Sequence, residues 1–424
     1  MDAICNTPDA QVNLVVCPVA VRQVWDREIK KFASRPIDIV VLDKGTTADK
    51  AVKMITAIGG RKYTDRPLVV IVNYESAWRS TLGTHILNTK WDFVIADEAH
   101  RYSAHDSAVG KFMGKMHYKA KYRLALTGTP LPHSPLNAFG LFRFIDPGLF
   151  GTSWFEFSNR YAEKRNPNIP QQITGYKNLD QLQNKFQLLT YQCRASDVLD
   201  LPPVTHETLL CELSPAGKKH YNELENEMIT EVKAAGGTDG VCSVPNALVK
   251  LLRLAQVCSG FLKLDDDAPL VEIDSEKLDM LRDFLEDLPK TEPVVVFCRF
   301  KYDLKRLKEL AAKLGRKYGE LSGDCKDALD DKAMLKDGIQ FAAVQISAGG
   351  VGIDLTRSAY GFYYSQGLSL AEFDQSVARL HRPGQTRHTH FYHLCVQGSV
   401  DERIYKAFDE RREIIDSVLR GYVE

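Results

Sequence analysis

A series of short, almost wholly apolar runs, each too brief for a helix and each followed by a polar or helical stretch, constrains this chain more than any other feature. The first set comprises "VNLVVCP" (12–18), "IDIVVL" (37–42), "PLVVIVNY" (67–74), "FVIADEA" (93–99) and "YRLALTGTP" (122–130). Strands with one wet face alternate apolar and polar residues. Runs like these are buried on both faces, as in a parallel sheet covered by helices. Behind the first run, Val21, Val24, Trp25, Ile29 and Phe32 recur at helical spacing among Arg22, Asp26, Lys30 and Lys31, which predicts an amphipathic helix. Strands alternating with helices give an α/β fold class with parallel, doubly wound sheets.

A second set follows "LDLPPV" (199–204), whose paired prolines predict an extended connector. It contains "EPVVVFCRF" (292–300), "IQFAAVQIS" (339–347), "AYGFYYSQ" (359–366) and "THFYHLC" (389–395). Residues 214–260 are mostly helical in pattern, broken by "AAGGTDG" (234–240). The expected organisation is a first lobe over 1–198, a connector over 199–213, a helical insertion of the second lobe over 214–290, and the second lobe proper over 291–424.

Lys plus Arg total 55 and so do Asp plus Glu, so no global field draws the chain to nucleic acid or to anionic membrane, and a polyanion needs a locally basic groove. The cysteines form no CxxC pair, and Cys17 and Cys298 lie inside apolar runs, as reduced, buried thiols do. No run approaches the roughly 20 apolar residues of a membrane span. A cytoplasmic protein is expected.

In open parallel sheets ligands bind beyond the carboxyl ends of the strands. Asp97 and Glu98 follow "FVIA" at such an end, where one carboxylate can hold Mg²⁺ on a nucleotide and its neighbour can orient or deprotonate a water. An acidic turn is the plain alternative for any lone pair of this kind. The next run ends in "LTGTPL", whose Thr127 and Thr129, together with His100 of "DEAH", are candidates for coupling a phosphate site to a neighbouring lobe.

In the second set, "ISAGGVGIDL" (346–355) places glycines, among them Gly352, before Asp354, where backbone can approach phosphate or ribose. In "FDQSVARLHRPGQ" (373–385), Gln375, Arg379 and Arg382 are spaced by four and then three, one face of a helix. Paired guanidinium groups there can neutralise transition-state charge as arginine fingers. His388, His390 and His393 raise a zinc reading, but no CxxC or HExxH accompanies them, and zinc is not expected. Tyr360, Phe362, Tyr363 and Tyr364 could stack on bases; a buried strand with an aromatic face is the expected reading.

Taken in order, these motifs resemble the Swi/Snf-like ATPases of helicase superfamily two. "LVVCPVAVRQVWDREIKKF" and "IVNYESA" are similar to the family's first nucleic-acid-contacting motifs and "DEAHR" to its Mg²⁺ and hydrolysis motif. "LALTGTPL", "FIDPGLFG", "DVLDLPP", "VVVFCRF", "SAGGVGIDLT" and "QSVARLHRPGQ" continue the series, and "SVDERIYKAF" resembles the helix that braces the lobes. The resemblance implies two tandem RecA-like lobes, with ATP in the cleft and duplex DNA across both, acting as a monomer on DNA. Carried over by position, Asp97 would hold Mg²⁺, Glu98 would activate water, Arg379 and Arg382 would face the γ-phosphate, Gln375 would support them, and Asp354 would lie near the ribose. Pro18, Val19, Tyr74, Arg299, Phe300 and Ser347 fall where the family touches the DNA backbone.

The family's phosphate loop, GxGK[ST], should precede "VNLVVCP" by one helix, yet "MDAICNTPDAQ" holds neither glycine nor lysine. Such a loop normally cradles the β and γ phosphates. The expectation is an N-terminally truncated ATP-dependent DNA translocase, in which the 424 residues carry the hydrolytic acids and arginines without the cradle and hydrolyse little ATP alone. The alternatives are a nucleic-acid-binding module without catalysis and one subunit of a split ATPase. The reading frame upstream of Met1 separates the first from the others.

Overall fold

The computed structural model describes residues 2–419 apart from 62–64, 133, 165–172, 194–197, 235–243, 264–268, 274, 331–333 and 348–352. The chain divides into two compact units, residues 1–192 with 411–424, and residues 193–410.

The first unit is built on β1 (Val12–Cys17), β2 (Asp38–Val41), β3 (Leu68–Asn73), β4 (Trp91–Asp97) and β5 (Ala120–Leu126), all parallel, in the order β2-β3-β1-β4-β5. Alternate residues of the apolar runs feed opposite layers. Leu14 and Val16 join the larger core with Val70, Val94, Phe139 and Phe142, whereas Val15 and Cys17 join Ile29, Ile71, Phe93 and Ile95 on the other face. That division is why β1 and β3 read as continuous hydrophobic stretches. The helix Arg22–Phe32 packs through Ile29, while Phe32, expected on the same buried stripe, is exposed at its last turn. Beyond β5 a short ribbon pairs β6 (Ala162–Lys164) antiparallel with β7 (Ile173–Tyr176).

One close approach sets the floor of the site. The helix Asn137–Ile145 places Gly140 against the backbone of Ser103, where an added Cβ would come within 2.1 Å of the Ser103 carbonyl oxygen. Only glycine allows this helix to lie against the turn that follows "DEAHR".

In the second unit, β8 (Val204–Cys211), β11 (Val294–Cys298), β12 (Tyr318–Leu321), β13 (Phe341–Gln345), β14 (Tyr360–Tyr363) and β15 (Thr389–Val396) form a parallel sheet ordered β12-β13-β11-β14-β15-β8. A short antiparallel ribbon joins β9 (Phe261–Leu262) and β10 (Val271–Glu272). The region expected to be a helical insertion holds the helices Pro215–Ala234, Val244–Cys258 and Glu276–Asp287. Most of "AAGGTDG" lies outside the described residues.

The segment expected to be a connector, 199–213, contains β8, which pairs with β15 from Val204 to Cys211. Paired prolines mark its start, but the strand lies at the sheet edge with most side chains exposed, so it lacks the apolar run by which the others announce themselves. The segment 291–424 is likewise divided, with residues 411–424 grouped in the first unit.

Candidate functional site

Asp97 closes β4 in register with Leu126, so the two strands release their loops side by side. Its carboxylate is held at both oxygens. Oδ2 accepts the indole N–H of Trp25 at 2.8 Å, and Oδ1 accepts the backbone N–H of Glu98 at 3.0 Å. The Asp97 carbonyl accepts the hydroxyl of Tyr74 at 2.8 Å. Burial, only partly offset by the Trp25 bond and reinforced by the charge of Glu98, holds the Asp97 carboxyl above its ordinary range. A divalent cation would relieve both penalties. The Asp97 carboxylate therefore fits a divalent cation such as Mg²⁺, and would supply one ligand to it.

Glu98 sits at φ 51° and ψ 53°, the left-handed region that non-glycine residues seldom occupy. The conformation turns the chain sharply between β4 and the 3₁₀ turn Ala99–Tyr102 and strains the backbone at a carboxylate. Glu98 Oε2 lies 3.3 Å from His100 Nδ1. The same nitrogen is 3.2 Å from Thr127 Oγ1 and 3.4 Å from Thr129 Oγ1, and Thr127 Oγ1 accepts the Thr129 N–H at 3.1 Å. The structure thus brings Glu98, His100, Thr127 and Thr129 into one hydrogen-bonded group at the carboxyl end of adjacent strands.

In the second unit the helix Leu370–Leu380 is capped by Ser369, whose hydroxyl accepts the Glu372 N–H. Gln375 and Arg379, one turn apart, line a small cavity of about one water's size together with Glu372 and Ser376. Arg382 was expected on that helical face, but the helix ends at Leu380. His381 leaves helical geometry at ψ 84°, two residues before Pro383, and Arg382 instead donates to the Ile353 carbonyl at 3.3 Å. Gln385 holds this turn: its amide donates to the carbonyls of Thr356, Ser358 and Leu380 and its oxygen accepts the N–H groups of Thr386 and Arg387. Asp354 Oδ1 accepts both the N–H and the hydroxyl of Thr356. Gly352 lies outside the described residues.

Residues 5–260 match the model of the SNF2-related domain, and residues 276–384 that of the helicase conserved C-terminal domain. The chain belongs to the SNF2-related family. It is 23% identical to an uncharacterized ATP-dependent helicase of Mycoplasma genitalium over 99% of its own length and 38% of the relative's. It is 25% identical to the DNA repair and recombination protein RAD54B of Homo sapiens over 94% of the chain and 47% of that protein. A solved Sulfolobus solfataricus SWI2/SNF2 ATPase core in complex with dsDNA aligns over 99% of this chain and 84% of that one, at 21% identity and a TM-score of 0.40. The chain spans less than half the length of these two curated relatives.

The positions where SNF2-related proteins were expected to meet DNA are not equally available. Val19 is half exposed and Ser347 exposed, whereas Pro18 is buried. Tyr74 is only 2% exposed, and its hydroxyl donates to the Asp97 carbonyl. Arg299 and Phe300 are half-buried; the Arg299 N–H donates to Ser365 Oγ, and the Phe300 ring packs edge-on against Phe261. Phe362, Tyr363 and Tyr364 are buried, as the aromatic-strand reading expected. His388 and His390 stack on each other, while His393 bonds to His206 Nδ1 and stacks on Tyr363.

Sequence reasoning missed Trp25 as a site residue, since its helical spacing explained it as core. Its indole donor was the available signal, because a part-buried Trp N–H seeks an acceptor. The glutamine of "HRPGQ" was likewise quoted without a role.

Proposed function

We propose that this chain is the motor core of an ATP-dependent translocase acting on duplex DNA. The observation that carries the reading is the Glu98–His100–Thr127–Thr129 group beside Asp97, set at the carboxyl edge of a parallel sheet in an SNF2-related chain. Mg²⁺, when bound with ATP, supplies charge neutralisation at the phosphates. Asp97 holds it. Glu98, fixed in its left-handed turn, accepts the proton of an attacking water, and His100 sets the direction of the Glu98 carboxylate. Arg379 and Arg382 offer phosphate-neutralising guanidinium groups, Gln375 supports Arg379 from one helical turn away, and Asp354 sits on the ribose side. Pro18 and Val19, Arg299, Phe300 and Ser347 belong to the segments that meet the DNA backbone, chiefly through main-chain groups. A chain of no net charge would need a locally basic groove for such contacts.

The experiment measures duplex binding and ATP hydrolysis together, with and without salt. Affinity that falls as salt rises, and hydrolysis stimulated by duplex and lost in Glu98→Gln, support the motor. Duplex binding with no hydrolysis in either protein is what a motor core without a GxGK[ST] loop, a binding module and an ATPase completed by a second polypeptide all give, and leaves the DNA reading standing. Loss of duplex binding even at low salt sinks the DNA reading.

A further inference from the structure

Two of the three groups that hold Asp97 come from the segments assigned to DNA. Trp25 lies on the helix Arg22–Phe32, which starts directly after the Pro18–Val21 turn. Tyr74 is the first residue after β3. The segments are also tied to each other, since Arg22 Nη1 donates to Asn73 Oδ1 at 3.3 Å as well as to the Leu42 carbonyl at 3.1 Å. From Asn73 the links continue: its amide donates to Glu75 Oε2 at 2.9 Å, and Arg101 of "DEAHR" donates to Glu75 Oε1 at 3.2 Å. The DNA-side segments therefore grip "DEAHR" at both ends, at Asp97 and at Arg101.

A part-buried indole N–H needs an acceptor, and a backbone carbonyl suffices: Trp91 uses that of Ile86 at 2.9 Å. Trp25 instead spends its donor on the Asp97 carboxylate, which is proposed to hold a cation. Groups of this kind fix the plane of a ligating carboxylate and are worth more than their own bond, because they decide which lone pair faces the metal. The Tyr74 hydroxyl donates to the Asp97 carbonyl at 2.8 Å.

We infer that Trp25 and Tyr74 are positioning residues for Asp97, through which duplex DNA at the 18–21 and 73–77 segments alters the affinity of the Asp97 site for a divalent cation. The inference rests on the reading of Asp97 as a Mg²⁺ ligand. Coupling runs both ways, so cation binding alters duplex affinity by the same factor. The physical route is short: any shift of the Arg22 helix moves the indole, and the indole carries Oδ2 with it.

The test uses Mn²⁺ as the probe and the full chain as the protein. Free Mn²⁺ is followed by its EPR signal, with and without a blunt duplex, in the wild type and in Asp97→Asn, Trp25→Phe and Tyr74→Phe. Expected are Mn²⁺ binding that Asp97→Asn removes, a roughly tenfold or greater weakening in Trp25→Phe, and loss of the duplex effect in both aromatic variants. In the metal-free protein, Asp97→Asn should also shift the ¹⁵N-indole resonance of Trp25, a readout that does not depend on how the Trp25 variant folds. Wild-type protein without Asp97-dependent Mn²⁺ binding overturns the metal reading and this inference with it. Wild-type binding and duplex coupling that survive Trp25→Phe and Tyr74→Phe, or an indole resonance indifferent to Asp97→Asn, overturn the inference alone.

Discussion

Glu98 Oε2 and Thr127 Oγ1 share a single nitrogen, His100 Nδ1, at 3.3 and 3.2 Å. The role of that nitrogen depends on the tautomer. As N–H it donates to the carboxylate, and as a lone pair it accepts from the hydroxyl, so the tautomer of His100 selects the partner. A group that changes partner this way suits coupling the hydrolytic acid to the strand-end threonines. Where the chain shows duplex-stimulated hydrolysis, removing the shared nitrogen in His100→Ala should lower it by about 10- to 100-fold, with duplex affinity within about twofold of wild type, whereas Glu98→Gln should cost 100-fold or more. Steady-state hydrolysis and fluorescence anisotropy check both. Hydrolysis unchanged in His100→Ala would remove the relay.

Lys277 and Asp401 form an ion pair at 2.5 Å with side chains 1% and 5% exposed, and Asp401 Oδ2 also accepts the Val396 N–H. Burial opposes the charge on Lys277, and Asp401 more than restores it. Removing one partner strands the other, so Lys277→Met should destabilise the second unit by about 3–5 kcal/mol, and Lys277→Met with Asp401→Leu by clearly less. Denaturant unfolding of both variants measures this.

Asp303 is fully buried, and its Oδ2 accepts the Ser365 hydroxyl at 2.5 Å and the Phe300 N–H at 3.3 Å. Burial pushes its carboxyl up to about 7, against the lowering effect of those bonds and of nearby Lys277 and Arg306. The folded protein thus holds a proton that the unfolded chain releases near pH 4. Stability attached to Asp303 is complete below about pH 4, declines as pH rises towards 7, and is level above it, a loss of order 4 kcal/mol. Asp303→Asn, which imitates the neutral acid, should remove this decline with rising pH from the unfolding free energy over that window.

His393 acts with the opposite sign. Burial, with His206 beside it, pushes its imidazole down to about 3, so the folded state keeps it neutral while the unfolded chain takes up a proton below about pH 6.5. Its contribution is present above that pH and is lost as pH falls towards 3. In Asp303→Asn protein, stability should therefore fall on acidification from about pH 6.5, and His393→Phe should reduce the slope. Urea titrations at fixed pH values resolve the two.

β5 ends its sheet among the described residues, and Tyr122, Leu124 and Leu126 on one of its faces are each about 40% exposed. An edge strand with an apolar row invites pairing. Leu124→Lys should lower concentration-dependent light scattering while changing stability by no more than about 0.5 kcal/mol.

The central strands were legible because burial on both faces leaves uninterrupted apolar runs, and "LVVIVN" and "VVVFC" needed no tertiary information. β8 and β12 were not. "VTHETLLC" lies at an edge with most side chains exposed, and "YGEL" closes the opposite edge over four residues, so neither had to be apolar. Residues 97, 98, 100, 127 and 129 were legible as two motifs at strand ends, because parallel sheets bind ligands at their carboxyl edge; the pairing of β4 with β5, which brings the two motifs together, is a fact of the sheet order.

The sequence by itself determined the parallel α/β architecture, the SNF2-related family and the presence of the acids at a strand terminus, because hydrophobic periodicity and motif order are local and survive without coordinates. Only the tertiary structure decided that Tyr74 faces inward, that Arg382 leaves the arginine helix and that Trp25 spends its donor on Asp97. The physical reason is direction. Each outcome turns on where a side chain points across a gap of many residues, and spacing along the chain carries no record of a hydrogen bond between residues 25 and 97.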